Sequence, residues 1–94
     1  RKIAALAELK HKQFSPHTWG NGLGLLANLH LAASVPNCTY IEYPYHPPSV
    51  VPEAYYGFLA TPLTVDRDGY LPLPQGPGLG VELDRKALQQ YRVE

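Results

Sequence analysis

Two side chains in this sequence could handle a proton for a small ligand held between them. His17, in Ser-Pro-His-Thr-Trp-Gly at 15–20, carries an imidazole, a group that changes charge near neutral pH. Glu42, in Ile-Glu-Tyr-Pro at 41–44, carries a carboxyl. A basic imidazole and a carboxylic acid flanking one molecule can take a proton from one of its atoms and hydrogen-bond another. On pattern alone the same residues also fit a turn histidine bonded to backbone and a solvated glutamate, which is the commoner arrangement. Trp19, beside His17 and a glycine turn, fits either a wall of a substrate pocket or plain packing.

The elements that must position these residues can be read in order. Ile3, Ala4, Leu6, Ala7 and Leu9 recur at helical spacing, with no Ser, Thr, Asp or Asn ahead of them to cap the helix. Pro16 forbids a helix interior and biases Ser15 to extended backbone, so a short strand is expected to end near His17. Trp19-Gly20-Asn21-Gly22 reads as a turn. Leu23 to Ser34 is almost uniformly apolar, as a helix buried on most sides would be, and Pro36-Asn37 stops it. Cys38 to Tyr43, rich in aromatic and β-branched residues, predicts a second strand. Helix, strand, helix, strand with short connections indicates an α/β fold with a parallel sheet, either doubly wound or closed as a barrel. Neighbouring parallel strands would bring His17 and Glu42 to one end of the sheet, where a barrel gathers its catalytic groups.

From Pro44 to Pro62 prolines cluster without a clear period, which suggests a long, ordered excursion. Leu63-Thr64-Val65 and Tyr70-Leu71-Pro72-Leu73, joined through Asp66-Arg67-Asp68-Gly69, predict a β-hairpin. Gly76 to Gly80 follows as a rigid loop, and Asp84 is placed to cap a last short helix, Arg85 to Tyr91. The expected division is residues 1–45 and residues 46–94.

Bulk properties narrow the function. Formal charge is zero and the eight basic residues are scattered, so no positive field exists for nucleic acid or an anionic membrane. The apolar run from Leu23 to Val35 is interrupted by Asn28 and His30 and is too short to cross a bilayer. The single cysteine, Cys38, can form neither an internal disulfide nor a zinc framework, which suits a reducing cytoplasm. Glu8, Glu53, Asp66, Asp68, Glu82 and Glu94 have no ligand spacing, so no metal site is expected. His30 reads as a core histidine, and His11 and His46 as loop residues. The Gly76 to Gly80 loop lacks the lysine and the following helix of a nucleotide-binding loop. With Arg1-Lys2-Ile3 at its start and no methionine anywhere, the sequence reads as beginning mid-protein.

Ser-Pro-His-Thr-Trp-Gly at 15–20, Ala-Asn-Leu-His-Leu-Ala-Ala at 27–33, Ile-Glu-Tyr-Pro at 41–44, and Asp-Gly-Tyr-Leu-Pro-Leu-Pro with Gly-Pro-Gly-Leu-Gly-Val-Glu-Leu-Asp within 68–84 together resemble the C-terminal third of mandelate racemase and muconate lactonizing enzyme-like proteins of the enolase superfamily. The resemblance covers essentially the whole chain. It implies the last units of a TIM-type (β/α) barrel, followed by a segment that completes a capping domain. It further implies a magnesium-dependent lyase or isomerase that removes the proton α to the carboxylate of a small acid-sugar substrate, with dehydration, cycloisomerisation or racemisation as the outcome. His17 matches the histidine base after the seventh strand, and Glu42 the acid on the eighth strand that hydrogen-bonds the substrate carboxylate and its enediolate.

Other parts of that machinery have no match here: the magnesium ligands, a lysine base for the opposite face, and an aspartate that orients the histidine. The chain alone is therefore expected to be inactive, and the complete enzyme a homo-oligomer. The alternative is a non-catalytic module that folds alone or self-associates through uncovered strand edges.

Overall fold

The computed structural model describes residues 1–93 and divides the chain into two compact units, Arg1–Tyr43 and Pro44–Glu94. Glu94 itself lies outside the described residues. In the first unit, α1 spans Lys2–Leu9 and α2 spans Gly22–Ala33. In the second, α3 spans Pro52–Tyr55 and α4 spans Arg85–Gln90.

Helix α1 has Arg1 at its N-cap with no side-chain capping bond. Its C-terminus is well closed: His11 N donates to Glu8 O at 2.8 Å and Lys12 N donates to Ala7 O at 2.9 Å. That double closure requires left-handed backbone at His11, where φ is 52°. Glycine normally fills such a position, and a side chain there costs about 1–2 kcal/mol.

Helix α2 starts one residue earlier than its apolar run because Asn21 caps it. The Asn21 side-chain oxygen accepts from Leu23 N at 3.1 Å and Gly24 N at 3.4 Å, satisfying donors that no preceding turn can reach. Leu25, Leu26, Leu29 and Ala32, at helical spacing, are buried and with Ala4 form the core of the first unit. Leu23, Leu31 and His30 are half-buried.

Between the helices the expected strands are not formed. Residues 12–19 and 38–45 are free of helix and turn, yet no strand is assigned to them, and among the described residues only two isolated β-bridges occur, both in the second unit. The two stretches nevertheless run side by side in one direction, because the contacts at Phe14, Ser15 and His17 meet Asn37, Tyr40 and Glu42 in that order. Phe14 N donates to Asn37 O at 2.8 Å, Thr39 Oγ1 donates to Gln13 Oε1 at 3.0 Å, Ser15 Oγ donates to Tyr40 O at 3.0 Å, and His17 meets Glu42. A parallel ladder would continue with Thr39 N donating to Phe14 O, a bond that is not formed, and then with a bond to Thr39 O from the amide two residues beyond Phe14. That residue is Pro16, which has no N–H, so side chains replace the ladder.

Asn37 anchors this arrangement. It is buried, and its Nδ2 donates to Ala4 O at 3.0 Å in α1 and to Lys12 O at 3.1 Å. Its Oδ1 is buried without a hydrogen-bond partner, so the side chain ties the unit together through its donors alone. Asn37→Ala strands two carbonyls and opens a void, and is expected to cost about 1–3 kcal/mol in urea unfolding of the chain.

The second unit centres on Tyr56, Leu59 and Leu63, all buried. Helix α3, with Pro52 in its first turn, sets the Tyr55 and Tyr56 rings edge to face at a centroid distance of 5.2 Å. The bridge between Leu59 and Leu83 is made by Ala60 N donating to Glu82 O at 2.9 Å and Asp84 N donating to Phe58 O at 2.8 Å. The expected hairpin at 63–73 is reduced to its turn. Asp66 Oδ1 accepts from Asp68 N at 2.9 Å and Tyr70 N at 2.8 Å, and the flanking residues form no ladder because this side chain and prolines 72 and 74 occupy or remove the bonding groups. Gly80 closes the following loop: its φ is +72°, and a Cβ there would lie 2.8 Å from Pro74 C and O. Asp84 caps α4 through Lys86 N and Ala87 N, as its spacing predicts.

Candidate functional site

His17 Nδ1 contacts Glu42 Oε2 directly. Each residue sits on one of the two parallel stretches of the first unit, and each lies two residues beyond the Ser15–Tyr40 contact. Both side chains remain more than half exposed, at 71% and 56%. An exposed pair of this kind contributes about 0–1 kcal/mol to stability, too little to hold two stretches of chain together. The packed unit therefore positions the pair, and the pair stays open to a ligand.

The contact also assigns the atoms. An ionised carboxylate only accepts hydrogen bonds, so in the neutral imidazole the proton sits on Nδ1 and the lone pair on Nε2. Nε2 is then the nitrogen able to take a proton from a ligand, and Glu42 Oε1 is the oxygen available to bond it. Trp19, just past the histidine, is 65% exposed and is not part of the core. Thr18 Oγ1 accepts from Gly20 N at 3.2 Å, holding the turn that leads from His17 into α2. Thr18, half-buried, links the candidate base to the helix cap at Asn21.

A family model described as enolase C-terminal domain-like matches residues 1–87. The chain belongs to this family. It is 35% identical over 98 residues to a D-galactarolactone cycloisomerase from Agrobacterium fabrum, covering 99% of this chain and 25% of that protein. It is 30% identical over 94 residues to a D-xylonate dehydratase from Haloferax volcanii, covering 100% of this chain and 22% of that protein. The solved structure of a mandelate racemase/muconate lactonizing enzyme-like protein from Rubrobacter xylanophilus superposes with a TM-score of 0.74 at 35% identity, covering 99% of this chain and 23% of that one. The chain thus spans about a quarter of the length of the relatives it matches.

Membership in the enolase C-terminal domain-like family is the relationship that the motifs at 15–20, 27–33, 41–44 and 68–84 imply. Within it, the magnesium expected from the resemblance finds no holder here: among the described residues no group of three or more His, Cys, Asp or Glu could bind a metal ion. No described helix is long and apolar enough to cross a membrane. Cys38 is a free thiol whose burial pushes its pKa up, which makes it a poor nucleophile at neutral pH.

The second unit holds a cleft of about 490 Å³, lined by Thr61, Leu63, Leu71, Pro72 and Val81 among others. Glu82 is the one ionisable group among its lining residues, so it lacks the paired acid and base of the His17–Glu42 site. Two features that support the site escaped the sequence reading, the Asn21 cap and the Asn37 anchor. An asparagine directly before an apolar helical run is a signal for the first. Nothing local marks the second, because its carbonyl partners lie 33 and 25 residues away.

Proposed function

We propose that this chain supplies the base and the acid of an enolase-superfamily enzyme that removes the proton α to the carboxylate of an acid sugar. The direct contact of His17 Nδ1 with Glu42, in a chain that belongs to the family, carries the reading. His17 Nε2 accepts the proton and the C–H bonding electrons move into the carboxylate to give an enediolate, while Glu42, carrying a proton on Oε1 with Oε2 still accepting from His17 Nδ1–H, donates a hydrogen bond to that carboxylate as negative charge builds on it. Trp19 lines the substrate pocket. The β-hydroxyl then leaves as water, taking back the proton held on His17 Nε2, and the enol that remains tautomerises to the 2-keto acid; this dehydration is the outcome we favour over cycloisomerisation and racemisation.

Magnesium, which neutralises the enediolate in such chemistry, would be held by residues outside this chain. The complete enzyme is expected to wash out the α-proton of D-xylonate or of a related aldonate or aldarate in D2O with magnesium, followed by proton NMR, while the 94-residue chain alone leaves that signal unchanged. Exchange of no sugar acid by the complete enzyme would overturn the reading.

One observation favours a second reading, a module without catalysis that self-associates. Ile3, Leu6 and Leu9 form an exposed apolar stripe along α1.

A further inference from the structure

The His17–Glu42 contact depends on register, and the contacts of Asn37 with Lys12, Thr39 with Gln13 and Phe14 with Asn37 all fall at or before Phe14 on the histidine's stretch. Phe14 N to Asn37 O is the backbone bond between the two stretches, and it lies at the far end from His17. Beyond it Pro16, a buried residue, offers no donor. A slip of one residue between extended stretches turns alternate side chains to the opposite face and would separate the imidazole from the carboxylate.

The contact between that backbone bond and the pair is the Ser15 hydroxyl on the Tyr40 carbonyl, at 3.0 Å. Ser15 precedes His17 by the same two residues by which Tyr40 precedes Glu42. Its side chain shares the His17 face of an extended stretch. We propose that Ser15 is a positioning residue: with Pro16 unable to donate to Thr39 O, the Ser15 hydroxyl on Tyr40 O ties the stretches next to the pair and fixes the register that brings His17 beside Glu42. This rests on the His17–Glu42 pairing in the proposed function and adds a residue to which that reading gives no role.

The test is the nitrogen-15 shifts of the His17 ring in the 94-residue chain, measured at a pH where the imidazole is neutral. They show which nitrogen carries the proton without any need for activity. In the unaltered chain Nδ1–H is expected as the major tautomer, and Glu42→Gln should weaken it. Ser15→Ala is expected to shift the major form to Nε2–H, the tautomer that an unpaired imidazole favours, and Ser15→Thr to retain Nδ1–H. Pro16→Ala restores a backbone donor, so combining it with Ser15→Ala should recover Nδ1–H.

Nδ1–H persisting in Ser15→Ala, or no recovery in the double variant, overturns the role of Ser15 and leaves the pairing intact. Failure of Ser15→Ala to fold, with no recovery on adding Pro16→Ala, overturns it as well. Nε2–H as the major form in the unaltered chain overturns the pairing itself.

Discussion

His17→Asn in the complete enzyme is expected to stop exchange of the substrate α-proton from one face, with a loss of about two to four orders of magnitude in the rate of proton removal. Asparagine is close to histidine in size, and its amide can still donate to Glu42 Oε2, so the pair's geometry and the packing beneath it should survive. Lost is a nitrogen lone pair able to accept a proton near neutral pH. The two faces of the α-carbon can be read separately by following deuterium uptake into epimeric sugar acids. Exchange persisting on the histidine's face in the variant would remove His17 from the mechanism. Because the side chain is 71% exposed, the substitution should leave the unfolding midpoint nearly unchanged, which separates loss of chemistry from loss of fold.

The helices were legible in the sequence because their signals are local. The apolar spacing in 23–34 and Asp84 ahead of Arg85 each state a helix within one or two turns of chain, and both helices form. Helix α3 is too short to show a period. Strands are different, since a strand exists only through its neighbour. Cys38 to Tyr43 has strand composition, yet whether it ladders depends on donors 25 residues earlier, and there Pro16 removes one. The site was half legible. His17 and Glu42 stand out as residue types, and the alternating helix and strand pattern argues that they are neighbours. Which imidazole nitrogen faces the carboxylate, and which side chains hold the register, depend on Ser15, Thr39 and Asn37, whose contacts span 25 to 33 residues.

The largest stability effect is expected at Leu26. It is fully buried in α2, and Leu26→Ala removes its methyl and methylene groups from a core otherwise made of Leu25, Leu29, Ala32 and Ala4. Lost transfer energy and the cavity left behind together cost about 2–5 kcal/mol. A domain of this size has total stability at the low end of about 5–15 kcal/mol, so the variant should be largely unfolded at modest urea concentrations. Leu6→Ala is the matched comparison: the same atoms leave a helix of the same unit, from a side chain 64% exposed, and the change should stay within about 0.5 kcal/mol. The contrast bears on function as well as on stability. If Leu6→Ala shifts the urea midpoint as far as Leu26→Ala does, the α1 stripe is covered in solution. If the shift also grows with protein concentration, a second copy is the cover, and the self-associating module would then be the better reading.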